Sequence, residues 1–292
     1  MENCCICPRE CGANRSGGET GFCGETDVIR IGRAALHKWE EPCISGANGS
    51  GAVFFSGCSV RCRFCQNREI SAGGIGRRLS SEELANELFR LRDEGAHNIN
   101  LVTGDHFIPQ LAELLQRIKP QLKIPVIFNC GGYEKSETLR LLDGLADVYL
   151  PDIKFCSSEL SEAFASAPDY FDVACKAVEE MFRQVGGVRL DSSGMIEKGL
   201  IIRHLVLPSH SDDSLRIVNH IAEQYGGSGV MISLMSQYCP IGKDDKYKEL
   251  NRRVYSYEYD KVCRAAAEAG LDGFTQERSA ADVSFIPDFT GE

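Results

Sequence analysis

The stretch Phe54–Asn67, FFSGCSVRCRFCQN, places Cys58, Cys62 and Cys65 at C-x3-C-x2-C spacing, with no fourth cysteine beside them. Thiolates are ligands for zinc and for iron–sulfur clusters, and structural zinc sites close with four ligands. Three thiolates can hold three irons of a cubane [4Fe–4S] cluster and leave the fourth iron without a protein ligand. An open coordination position is a reactive one. The competing reading of the same spacing is zinc with a distant fourth ligand. Cys4, Cys7, Cys11 and Cys23 form a second group at C-x2-C-x3-C-x11-C, with Cys5 as an adjacent alternative. Four thiols suit either a structural zinc or a second iron–sulfur cluster, and a small segment of this kind seldom folds without such a staple.

The chain has 292 residues, 43% hydrophobic and 25% charged, which describes a soluble globular protein able to bury a sizeable core. Its formal net charge of −10 opposes nonspecific binding to nucleic acid or anionic membrane. No run approaches a membrane span, and the opening MENCCICPRE has no signal-peptide core. A cytoplasmic location follows as an expectation. In that compartment 14 cysteines point to metal or redox work rather than to disulfides.

The first 45 or so residues show neither helical nor strand periodicity. An alternation follows. Strands are predicted at 52–56, 99–103, 125–129, 147–153, 199–207 and 229–235, and LDGFT may add a short one. Between them lie amphipathic helices: 80–95, opened by Ser80 and Glu83 at capping-box spacing, then 109–119, SETLRLLDGL, a stretch within 170–184, DSLRIVNHIAEQYG, and finally 249–270. Six successive strand–helix units imply a parallel sheet, either doubly wound or closed as a barrel. The polar residues gather where the strands end: Cys58, TGDH at 103–106, NCGG at 129–132, DIK at 152–154, Arg203 and His204, and SQY at 236–238. Parallel sheets collect their chemistry at the carboxyl ends, so these groups are expected around one mouth. Cys130, Cys156 and Cys239 follow strand ends and read first as core residues. His37 and His106 are candidate cavity residues, whereas Glu40 and Glu41 read as solvent-facing or capping. GKDDKYKE reads as a solvated connection.

The cysteine triplet, with aromatic Phe64 before its last member, resembles the radical S-adenosylmethionine superfamily. Membership implies that the open iron chelates the amino and carboxylate groups of S-adenosylmethionine. One electron then yields methionine and a 5′-deoxyadenosyl radical, which abstracts hydrogen. From about Phe54 to Tyr247 the chain is most similar to the pyruvate formate-lyase-activating enzyme family, in CRFCQN, VYLPDIKF and IIRHLVLPSHSDD. That resemblance implies a partial (β/α)6 barrel over 49–280, beside the cysteine-rich extension over 1–48 and the loose tail over 281–292 that the residues themselves suggest. It implies cofactor contacts at Phe64, Asn67, Asn129, Asp152, Lys154 and Arg203. Tyr238 stands where the family can carry histidine. The family's Gly-Gly-Glu is replaced by TGDHF, leaving Gly104 to give close backbone approach and Asp105 to supply a carboxylate. The implied partners are a glycyl radical enzyme or other protein substrate and a flavodoxin- or ferredoxin-type electron donor. Two alternatives stand beside this: a radical enzyme modifying a small molecule or peptide, and a non-catalytic zinc-binding regulator.

Overall fold

Strand β1 (Arg30–His37) precedes β2 (Ser50–Phe55), β3 (Arg77–Arg78), β4 (Ile99–Val102), β5 (Val126–Cys130), β6 (Val148–Pro151), β7 (Arg189–Leu190), β8 (Ile196–Leu205), β9 (Met231–Met235) and β10 (Gly273–Thr275). These strands come from a computed structural model that describes residues 2–72, 74–240, 242–276 and 289. They form one sheet in the order β10-β9-β8-β6-β5-β4-β2-β1-β3, with β7 attached to β8. The run from β2 through β4, β5, β6, β8 and β9 to β10 is parallel throughout. Along that run spatial order follows chain order without reversal. Right-handed crossovers then put every connecting helix on one face, so the sheet curls into a partial barrel and has no doubly wound switch point. The expected parallel units are all present, and LDGFT supplies β10.

Three expectations need correction. The first 45 residues do hold regular structure: β1 pairs antiparallel with β2, and Pro42–Ser45 forms a helical turn. The strand RIGRAALH escaped notice because most of its residues are half-buried, which blurs the alternation. SETLRLLDGL splits into the short helix Ser136–Leu139 and a tighter turn at Arg140–Leu142. The last helix begins only at Ser256, where the Glu258 carboxylate accepts the Tyr255 N–H at 2.7 Å. The capping box at Ser80 forms as expected and opens the Ser81–Asp93 helix. The tail expected over 281–292 lies outside the described residues except for Phe289, whose ring meets Phe54 edge-on at 5.6 Å.

Strand side chains alternate between two environments. Leu101, Phe128, Tyr149, Ile202 and Leu234 face the helices and form the main core. The alternate residues Ile127, Val148, Leu150 and Ile201 face inward, where Cys43 and Ile44 pack on them. The Pro42–Ser45 turn therefore plugs the interior near the strands' amino ends. On the same inward register, further along each strand, come Asn129 and Arg203, with Asp152 just beyond β6.

Candidate active site

The three cysteines sit on the loop leaving β2. Gly57 begins it with φ +83°, and an added Cβ would lie 2.8 Å from the Cys23 carbonyl oxygen, so only glycine fits. Backbone donors hold the loop: the Cys58 N–H reaches the Cys23 carbonyl at 3.2 Å, and the Arg63 N–H reaches the Phe164 carbonyl at 2.7 Å. Arg9 adds a hydrogen bond to the Ser59 carbonyl at 2.9 Å and another to the Ala165 carbonyl at 2.7 Å. Phe64 turns into an aromatic nest of Phe155, Phe164 and Tyr238. Two of the sulfurs receive hydrogen bonds, Cys58 from the Val60 N–H at 3.3 Å and Cys65 from the Ser71 hydroxyl at 3.4 Å.

Cys58, Cys62 and Cys65 line one cavity of about 170 Å³, and Phe64, Asn67, Asn129, Asp152, Lys154 and Arg203 line it too. Opposite the cysteines, the charged side chains form a chain of contacts. The Lys154 ammonium pairs with Asp152. Arg203 donates to Asp152 at 3.2 Å, to Asn129 at 3.1 Å and to Glu40 at 2.9 Å. Glu40 also accepts from Asn100 at 3.1 Å and from Asn129 at 3.4 Å. Burial alone would raise the Asp152 carboxyl, but Lys154 and Arg203 hold it below the usual carboxylate range. Burial likewise opposes charge on Arg203 and Lys154, and their acidic neighbours more than offset it. The site thus keeps two fixed cations beside the sulfur-lined wall.

Burial pushes the Cys62 thiol up to about 12, with Lys154 pulling the other way, and burial raises the Cys58 thiol as well. Thiols so placed release their protons readily only to a metal. Among the described residues, no three Cys, His, Asp or Glu side chains converge closely enough to share a single metal ion. A cubane presents its irons at separate corners, so its thiolates need not meet at one point. Three thiols, two hydrogen bonds to sulfur and an adjoining cavity fit a cluster of that kind.

Not every expected residue arrives here. Gly104 is absent from the cavity wall, because its Cα faces Leu111 and Phe55. Thr103 lines the cavity instead, at φ +59°. The Asp105 carboxylate is buried behind the cavity wall, where it accepts from the Ser59 hydroxyl. Tyr238 stays out of the cavity, supporting Phe64 and donating to the Leu250 carbonyl at 2.7 Å. His106 is structural, its Nε2 2.8 Å from the Ser56 carbonyl, whereas His37 lines a neighbouring cavity. Cys130 joins the cavity wall, and Cys156 and Cys239 do not. In the GKDDKYKE connection, Asp244 is paired with Arg63 of the cysteine loop.

Glu40 is the principal omission. Its side chain is only 9% exposed and serves as counter-ion to Arg203, where a solvent-facing role was expected. Its location beside a half-buried arginine has no local sequence signal. Ser71 was missed for the same reason. Cys4, Cys7, Cys11 and Cys23 are brought near one another: an added Cβ on Gly21 would lie 3.2 Å from the Cys11 sulfur and 3.4 Å from that of Cys23. Among the described residues no three of them converge on one point, as a single ion would require and a cluster with separate corners would not.

A curled parallel sheet with three loop cysteines at its carboxyl mouth defines a class, and residues 52–218 match the model of the radical SAM superfamily. The chain belongs to that superfamily. Over 281 residues it is 30% identical to an uncharacterized protein of Methanocaldococcus jannaschii, covering 93% of this chain and 76% of that one. It is 26% identical over 180 residues to the pyruvate formate-lyase-activating enzyme of Clostridium pasteurianum, covering 60% of this chain and 68% of that one. In fold it resembles a radical SAM methyltransferase from Sphaerobacter thermophilus, with a TM-score of 0.51 at 12% identity, over 78% of this chain and 66% of that one.

Proposed function

We propose that this chain is an activating-type radical enzyme that removes a hydrogen atom from a glycine of a partner protein. The observation carrying the reading is that Cys58, Cys62 and Cys65 share one cavity with the Asp152–Lys154–Arg203 network. The likeness to the activating enzyme of Clostridium pasteurianum supports the subtype. The superfamily implies a [4Fe–4S] cluster and S-adenosylmethionine, which together supply a 5′-deoxyadenosyl radical when bound.

The chain's own residues have separable tasks. The three thiolates would hold the cluster, supplying fewer ligands than it has irons. Lys154 and Arg203 provide positive charge for the cofactor carboxylate, and the oxygens of Asp152 and Asn129 suit ribose hydroxyls. Asn67 and Phe64 flank the last cysteine and shape the wall. Glu40 keeps Arg203 in place. As part of the same proposal, the reaction is cytoplasmic, the electron comes from a flavodoxin- or ferredoxin-type protein, and the N-terminal cysteines bind a metal of their own. Among the described residues no helix is long and apolar enough to cross a membrane.

Anaerobic reconstitution with iron and sulfide, then reduction with dithionite in the presence of S-adenosylmethionine, tests the reading. The expected result is 5′-deoxyadenosine, and with a glycyl radical enzyme present, an electron-spin doublet on that partner. Cys62→Ser should abolish both, with loss of cluster absorbance. Release of 5′-deoxyadenosine with no radical on any protein partner would favour a small-molecule or peptide substrate. Zinc in place of iron and no cofactor cleavage would end the proposal. Iron and zinc analysis of Cys4→Ser and Cys23→Ser, compared with wild type, tests the N-terminal metal.

A further inference from the structure

Beside the cluster cavity lies a second one of about 330 Å³, and Asn67, Asn129, Arg203 and Met235 form a wall common to both. Part of its wall is the segment His37–Pro42, which joins β1 to the interior plug. Two adjacent carboxylates occupy that segment, and their situations differ. Glu40 is fully engaged by Arg203, Asn100 and Asn129. Glu41 is only 8% exposed, and its Oε2 has no hydrogen-bond partner. Its carboxyl group interacts with the Ser233 hydroxyl. The nearby cation, Arg203, already donates to Asp152, Asn129 and Glu40.

A buried carboxylate oxygen left without a donor is unfavourable, and native proteins rarely keep one without a use. Counting charges over the two cavities together, Lys154 and Arg203 are matched by Asp152 and Glu40. Glu41 remains over. His37 brings no balancing charge, since burial lowers it to about 4 and Arg203 pushes the same way. Lys38 also lines the cavity but is solvent-exposed. An anionic substrate would meet two carboxylates here, whereas a cation would find an open acceptor.

We propose that this second cavity binds a cationic nitrogen of the substrate, a protonated amine or a guanidinium, with Glu41 as its counter-ion. The proposal deepens the reading of the site as a radical enzyme by naming the chemistry of what it acts on. A nitrogen held at Glu41 directs the rest of the substrate toward the shared wall, and so toward the cluster cavity where hydrogen would be taken. A free amine and a lysine or arginine side chain of a protein segment carry the same group.

Trp39 lines this cavity, is 61% exposed, and is the chain's single tryptophan, so its fluorescence reports on occupancy. The full-length protein is titrated with n-butylammonium and n-butylguanidinium, with n-butanol and butyrate as neutral and anionic controls. A second arm compares acetyl-Gly-Lys-Gly-amide with its norleucine counterpart. The expected result is a saturable change with the cations alone, weakened at least about tenfold by Glu41→Gln. Gln keeps the size of Glu41 and can make the same contact with the Ser233 hydroxyl without a charge, so the fold should accommodate the amide. Thr275→Lys, at an exposed position on the same wall, should weaken cation binding by supplying a competing ammonium. Response in the first arm assigns the group to a free amine, and response in the lysine peptide alone assigns it to a protein side chain; both support the proposal. Equal response to butanol, or unchanged cation binding in Glu41→Gln, overturns it. Loss of S-adenosylmethionine binding in Glu41→Gln with amine binding intact also overturns it, by giving the carboxylate to the cofactor. If wild-type protein cleaves no cofactor, the enzyme reading fails separately, because the fluorescence titration needs no turnover.

Discussion

Arg203 binds three partners drawn from three distant parts of the chain, Glu40, Asn129 and Asp152. Of these, only Glu40 comes from the segment before the barrel. Replacing it with Gln leaves an acceptor but removes the negative charge facing a largely buried guanidinium, a loss of about 1.5 kcal/mol. Glu40→Gln is therefore expected to raise the KM for S-adenosylmethionine by about tenfold or more, measured by 5′-deoxyadenosine release. Glu134 makes a different prediction. It is buried, both carboxyl oxygens lack hydrogen-bond partners, and burial with the nearby Asp105 raises it from 4.5 to about 8. The folded state thus favours the protonated form over the unfolded state between those values. Its stabilising effect is complete below pH 4.5 and declines as the pH rises toward 8. Urea midpoints of wild type should fall across that interval, and those of Glu134→Gln should fall less.

Strand register decides which side chains see the site. Ile127 and Asn129 on β5 share the inward face, as do Ile201 and Arg203 on β8, so each strand contributes an apolar floor residue and then a polar one. The turn after β5 must pass very close to the end of β6. Gly132 has φ +79°, and a Cβ there would lie 2.0 Å from the Asp152 carbonyl oxygen. Gly132→Ala would force that backbone apart and displace Asp152 with it. A loss of about 2 kcal/mol or more is expected, together with a fall in cofactor cleavage well beyond what the stability change explains. A variant with normal cleavage would show that Asp152 needs no such precise placement.

The segment before the barrel is built into it. Its cysteine-rich part braces the cluster loop through Arg9 and the Cys23 carbonyl, β1 extends the sheet, and Ile44 fills the interior against Ile127, Val148 and Ile201. Ile44→Ala should cost about 2–5 kcal/mol, as for other buried large-to-small changes, read as a lowered thermal or urea midpoint in a single transition. A separate early transition with an intact barrel would instead mark the segment as an independent unit. The same plug brings Glu40 and Glu41 into the interior, so core packing and site chemistry depend on one short stretch.

Local spacing was enough to single out Cys58, Cys62 and Cys65, which do share one cavity, because a ligand triplet needs only a few neighbouring residues. Hydrophobic periodicity was enough for the strand–helix alternation and hence for a parallel sheet, since each element's burial is written into its own residues. DIK and Asn129 were legible for a related reason: they stand at strand ends, and parallel strands deliver their ends to one mouth. Glu40, Glu41 and Ser71 carried no such mark. Charged residues beside a proline look solvent-facing until β1 and the Pro42–Ser45 turn draw them inside. Gly104 and Asp105 also follow a strand end, but Thr103 takes the place on the cavity wall there. Pairing between residues far apart in the chain sets burial and counter-ions, and those long-range contacts exist only once the barrel has closed around its N-terminal segment.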